Sequence, residues 1–428
     1  MFRYYVVVLI AVAGAAPALV YAQAPAVATD TEASLTIEEA ARLAAIDQPL
    51  LTGREARIRA DEQQAIAAAQ LPDPKLSGGV KDLPVDTSEA FSVRRDNFTE
   101  FTVGLSQDLP RANKRRLKGE RKQLDAETER AGLSNDRRAI RRDASLAWLD
   151  VYEAEQGLML ARKLSAEAAL QVQSLEKDYG SGKASQADWT AARVEAGLVE
   201  DKEHDWLHHA QRTRAGLARW IGDEVQRPLA ALSLPPPPSA LPELMAAVDH
   251  HPMIGELDTQ IEASANDIAL ARQAYKPDVS VEGYVAYRPG FSDFVGIQVS
   301  VGLPYFTKKR QDPELSAAFE RSRASKDRKQ DLLRELHARV SQDYLDWHHY
   351  QQRVAEFDTA IIPNSMRRIE EARAAYQAGR GNFDAVLLAR RSLLDIQLQR
   401  LSLAVEAARA QVRLQYFAAS RDRAGEMP

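Results

Sequence analysis

The sequence predicts an α+β membrane protein built as a duplicated repeat, with four β-strands given to a shared barrel and long antiparallel helices forming a tube or stalk. Three observations carry this. Phe101, Val103, Leu105 and Leu109 alternate with Glu100, Thr102, Gly104, Ser106 and Asp108. Val295, Ile297, Val299, Val301 and Leu303 alternate with Gly296, Gln298, Ser300 and Gly302. Each stripe is followed by a long charged helical pattern, and the whole order recurs after about 200 residues. A period-2 stripe with one apolar and one small or polar face fits a barrel strand between lipid and lumen.

The chain opens on an export-signal pattern over 1–22. Arg3 is its positive start, residues 6–18 are apolar, and Val20 and Ala22 are small cleavage-site residues, so the mature chain is expected to begin at Gln23. The apolar run, about 13 residues, is short of the roughly 20 that a membrane anchor needs. No later segment is apolar enough for a spanning helix, which leaves half-polar strands as the route into a membrane. Cysteine is absent, which removes disulfides, thiol chemistry and lipidation at a cysteine. The net charge of −5 gives no argument for a nucleic-acid partner.

The repeat is legible in five ordered correspondences. Gln48-Pro49 matches His251-Pro252, and Pro74-Lys75-Leu76-Ser77 matches Pro277-Asp278-Val279-Ser280. Leu109-Pro110 with Lys114-Arg115 matches Leu303-Pro304 with Lys308-Lys309, and Trp148-Leu149-Asp150 matches Tyr344-Leu345-Asp346. Tyr179 and Gly182 match Tyr376 and Gly379. The expected organisation is a first repeat over 23–234, a stiff proline-rich linker over 235–240, a second repeat over 241–421 and a tail over 422–428.

In the first repeat, Thr36 is placed to cap a helix with Glu39 as capping-box partner. A second helix over 51–70 stops at Pro72 and Pro74. Two strands joined by a loop within 81–97 come next, and Pro110 ends the second. Helical pattern then covers 112–178, breaks at Gly180-Ser181-Gly182, and resumes to 221. The second repeat reads helix over 252–274, strands over 277–287 and 293–303, and helix over 313–378 with a kink at Pro363. It breaks at Gly379-Arg380-Gly381 and resumes to 420. A helix of about 65 residues is about 100 Å long, far beyond globular need.

Backbone groups facing lipid must all be paired, so a membrane sheet has to close. Single-chain barrels begin at about 8 strands. Four per chain therefore require at least two copies. A soluble sheet packed on the helices would show the same alternation, and the absence of charge along both apolar stripes favours lipid.

The ordered segments resemble the TolC-like outer-membrane efflux family. The matching stretches are Leu35-Thr36-Ile37-Glu38-Glu39-Ala40, Leu71-Pro72-Asp73-Pro74-Lys75-Leu76, Gly104-Leu105-Ser106-Gln107-Asp108-Leu109-Pro110, Val301-Gly302-Leu303-Pro304-Tyr305-Phe306 and Ala375-Tyr376-Gln377-Ala378-Gly379. The Lys-Arg segments after the strands look most like its CzcC-like heavy-metal branch. The resemblance implies a homotrimer with a 12-stranded outer-membrane barrel and a periplasmic α-barrel. It also implies a periplasmic adaptor and an inner-membrane transporter of the resistance–nodulation–division type, no catalysis and no cofactor. Passive efflux of metal ions or small toxic compounds is the function implied. Type I protein secretion uses the same architecture, and a soluble periplasmic scaffold is the reading from another class.

Tyr179, Gly182 and Lys183, with Tyr376, Gly379 and Arg380, form the two hairpin turns, where the resemblance implies adaptor docking. Both glycines also suit left-handed helix ends. Asp384 and Asp188 follow the turns and are the candidates for a carboxylate gate favouring cations. Lys114, Arg115, Lys308 and Lys309 are candidates for headgroup contact at the membrane interface. His204 and His208 share a helix face with metal-ligand spacing, and His250-His251 and His348-His349 form further pairs. The five tryptophans all fall in helical pattern, as packing residues.

Overall fold

In the computed structural model, residues 34–418 are described, apart from 47, 87, 89 and 235. The signal pattern over 1–22 and the tail over 422–428 lie outside them.

The first half runs α1 (Ile37–Ala44), α2 (Pro49–Ala69), β1 (Lys75–Lys81), β2 (Glu100–Leu109), α3 (Ala112–Gly180) and α4 (Gln186–Ile221). The second runs α5 (Leu241–Val248), α6 (Pro252–Gln273), β3 (Asp278–Tyr287), β4 (Phe294–Gly302), α7 (Gln311–Glu356), α8 (Ile362–Gln377) and α9 (Phe383–Phe417). Helix α3 alone holds 69 residues, which at helical rise is about 100 Å. Among the described residues no helix is long and apolar enough to cross a membrane.

The four strands form one antiparallel sheet in the order β1-β2-β3-β4. Its register sorts the residues by chemistry. Leu76, Phe101, Val103, Leu105, Val285, Tyr287, Val295, Ile297, Val299 and Val301 share one face. Lys75, Ser77, Lys81, Glu100, Asp108, Glu282 and Gln298 share the other. On β2 the burial is the reverse of a soluble sheet: Val103 is 59% and Leu105 57% exposed, whereas Thr102 on the polar face is 9% exposed. On β4 the apolar residues are the most open, with Val295 81% and Ile297 79% exposed. A soluble domain would turn the apolar face onto its helices. Here it is turned outward, and strands β1 and β4 leave two unpaired edges that no described strand of the chain covers.

The helices meet in two cores at the middle of the long hairpins. In the first, α1 sits on α3 and α4, and α9 completes the cluster around Trp148, Leu149, Leu217 and Val405. Trp148 is fully buried, and its indole N–H donates to the Leu35 carbonyl at 3.0 Å, which removes the cost of burying it. In the second, α5 and α6 meet α7 and α9 around Leu244, Ile254, Leu336 and Leu414. Arg409 on α9 ties to Asp150 and Glu153 on α3 at 2.6 and 2.8 Å. Burial opposes its charge, but these carboxylates and Glu406 more than offset that and raise its pKa.

Three local expectations change. Thr36 does accept from the Glu39 backbone N–H at 3.1 Å. The Glu39 carboxylate, however, does not close the capping box. Arg227 takes it with two N–H donors at 3.0 and 3.1 Å, a stronger charge-assisted fork. The break near Pro363 begins earlier, as a π-helical turn over Phe357–Ile361 that leads into α8. Proline lacks the N–H for a regular helix, and the wider turn absorbs the mismatch. Arg400 of α9 holds Asp358 in that turn with two bonds, at 2.9 and 2.8 Å.

His251 is the third change. It is 1% exposed, and both ring nitrogens are occupied. Nδ1 accepts from the Met253 N–H at 3.3 Å, capping α6, and Nε2 donates to the Tyr416 carbonyl at 3.2 Å. It is a neutral helix cap and has no lone pair left for a metal. Burial, with Arg138 and Arg142 nearby, lowers its pKa from 6.5 to about 4. The unfolded chain takes this proton near 6.5 and the folded chain only near 4. Stability is therefore full above 6.5 and falls with pH, by on the order of 3 kcal/mol at pH 4. Urea melts of wild type and His251→Gln across that window should show this slope in the wild type, reduced in the variant.

Candidate functional site at the hairpin turns

Both long hairpins reverse by the same hydrogen-bond pattern. In the first, the Gly182 N–H donates to the Tyr179 carbonyl at 3.0 Å and the Lys183 N–H to the Asp178 carbonyl at 2.8 Å. In the second, Gly379 donates to Tyr376 at 3.0 Å and Arg380 to Ala375 at 2.9 Å. This is the Schellman arrangement, which needs a left-handed residue. Gly182 has φ +73° and Gly379 +67°. A Cβ at either would meet nothing within 4 Å, so both turns present open surface. The following Lys183 and Arg380 are exposed.

Behind each glycine stands an aromatic pair. Tyr179 stacks on Trp189 with centroids 5.8 Å apart, and Tyr376 tilts against Phe383 at 5.4 Å. Leu175, Trp189, Ala192, Tyr376, Phe383 and Leu387 form one apolar cluster. The two turns therefore lie side by side at one end of the molecule. Above them, cross-hairpin ion pairs join α4 and α9: Glu195 with Arg391 at 3.8 Å and Lys202 with Asp395 at 2.7 Å. The sequence reading missed these pairs, since contacts between distant helices leave no local pattern.

The two candidate gate carboxylates differ. Asp188 closes a capping box with Ser185, accepting from its N–H at 3.2 Å and its hydroxyl at 2.7 Å. Asn382 caps α9 instead, accepting from the Ala385 N–H at 3.1 Å. Asp384 is thereby left exposed, with no hydrogen-bond or ion-pair partner among the described residues. It lines an open groove with Ala187, Thr190, Val194, Leu388 and Arg391.

The four basic candidates divide at the other end of the hairpins. The Lys114 ammonium pairs with Asp278 at the start of β3, and Arg115 donates to the Ala69 carbonyl at 3.4 Å. Both face inward and join α3 to its neighbours, because opposite charge and a free carbonyl lie within reach. Lys308 and Lys309 remain exposed, beside Tyr305 at 83% and Phe306 at 72%. His204 and His208 are exposed on α4. Among the described residues, no group of three or more ligand side chains converges.

No protein-family model matches the chain. A curated relative, the cobalt-zinc-cadmium resistance protein CzcC of Cupriavidus metallidurans, is 23% identical over 380 residues, covering 86% of each chain. The channel protein CusC aligns over 90% of this chain and 92% of its own, with TM-score 0.75 and 16% identity. The outer membrane protein VceC of Vibrio cholerae aligns over 90% and 96%, with TM-score 0.74 and 18% identity. The match to CzcC over 86% of each chain and the shared fold bear out the resemblance, and this chain has the fold of the outer-membrane channel structures it aligns with.

Proposed function

We propose that the chain is the outer-membrane duct of a tripartite efflux pump, passing metal ions or small toxic compounds. The sheet carries the reading. Its apolar face is largely exposed, the polar face of the two central strands is the more sheltered one, and both edges are open. Such a sheet is complete only when copies join edge to edge in lipid. Three copies give the 12 strands expected from the resemblance, and the long hairpins then form the periplasmic tube. The exposed sheet face also disfavours a soluble scaffold. The match to a cobalt-zinc-cadmium resistance protein supports metal ions as cargo. Deleting the gene should sensitise cells to those metals, and a plasmid copy should restore growth. Unchanged growth on all three would remove the metal assignment.

In this reading Tyr179, Gly182, Lys183, Tyr376, Gly379 and Arg380 meet the hairpins of a periplasmic adaptor, which links the duct to an inner-membrane transporter. Twin turns of one geometry suit a ring of equivalent docking sites. Tyr305 and Phe306 with Lys308 and Lys309 fit the inner lipid boundary, aromatic rings at headgroup depth and ammonium groups on phosphate.

Asp384 is the gate carboxylate. Three copies around an axis would repel one another and attract cations. In planar bilayers, Asp384→Ala should lower cation preference and weaken block by multivalent cations. An unaltered reversal potential would place Asp384 away from the pore. Asp188→Ala should instead act on the turn, costing about 1 kcal/mol of capping.

A further inference from the structure

We infer that Glu282 is a selectivity residue of the barrel lumen, a carboxylate laid flat against the wall over a notch made by Gly104. The inference rests on the shared-barrel reading.

Glu282 lies on β3, on the polar face of the sheet, opposite Ser106 on one side and Gln298 on the other. Its side chain does not stand away from the sheet. It crosses β2 at Gly104 and reaches Ser77 on β1, whose hydroxyl donates to its Oε1 at 3.2 Å. Only the missing side chain at Gly104 permits this. A Cβ there would sit 2.7 Å from Glu282 Oε1 and 2.9 Å from Ser77 Oγ. Strand glycine weakens a sheet and marks a place where another group must approach closely. Gly296 does the same for the ring of Tyr284, over which the Lys81 ammonium lies 4.7 Å from the centroid. Two notches thus fold two bulky lumenal side chains along the wall.

The other charges of this face are paired. Lys75 meets Asp108 at 2.8 Å, Lys81 meets Glu100 at 3.9 Å, and Asp278 is held by Lys114. Glu282 has no cationic partner among the described residues. Each chain therefore adds one uncompensated carboxylate at one depth of the lumen. In a closed barrel they form a ring that favours cations, as rings of acidic side chains do in cation channels. Held flat, the ring supplies charge without narrowing the bore.

Purified protein in planar bilayers under a salt gradient tests this. Glu282→Gln should keep the wild-type conductance and lower the cation-to-anion permeability ratio by roughly twofold. Gly104→Ala should keep the preference but lower conductance, because the added methyl lifts the carboxylate into the bore. Gly104→Ala with Glu282→Ala should restore it. Wild-type channels with an unchanged ratio in Glu282→Gln would overturn the assignment alone. A wild-type protein that forms no channel would overturn the duct reading, and this assignment with it.

Discussion

Ile297→Arg should abolish membrane assembly. Ile297 lies on the apolar face, is 79% exposed and faces Gly283 across the strand pair, so the described residues shield little of it. A charged side chain at the midplane of a barrel's lipid face costs about 2–4 kcal/mol, and closure of the barrel repeats that cost in every copy. The neighbouring Gln298→Lys, on the polar face, should assemble normally, since a lumenal charge stays in water. Heat-resistant oligomer on gels and recovery in the outer-membrane fraction give the measurement. Equal assembly of both variants would remove the lipid assignment of this face.

Gly182→Trp together with Gly379→Trp should abolish export while the oligomer still assembles. Each substitution strains a left-handed residue by about 1 kcal/mol, a small loss beside a fold of this size. A Cβ at either position meets nothing within 4 Å among the described residues, so both side chains start out into open space. A loss of export with intact assembly must then arise at a surface that a partner needs. Normal export by the double variant would remove the docking assignment.

The long elements were legible in the sequence because they are local. Period-2 stripes named β2 and β4, and the glycine breaks named both turns. The stop at Pro72 and Pro74 named the end of α2. What stayed hidden depends on contacts between distant segments. Lys114 reads as a basic surface residue until Asp278 arrives beside it from the other half of the chain. His251 reads as one of a metal-binding pair until Tyr416 covers it. Gly104 reads as one more small residue on a lumenal stripe until Glu282 is seen lying across it. Asp188 and Asp384 look equivalent after their turns, and what separates them is the capping residue. Ser185 engages Asp188, while Asn382 leaves Asp384 unbound. That distinction could have been read locally, since serine followed three residues later by a carboxylate is a capping-box signature.

The central claim is that this sheet closes only between copies. The mass of the detergent-extracted particle, taken by light scattering with the detergent contribution removed, tests it most directly. Three chains per particle, with sheet content retained in circular dichroism, is the expected result. A monodisperse single chain with the same sheet content would contradict the shared barrel.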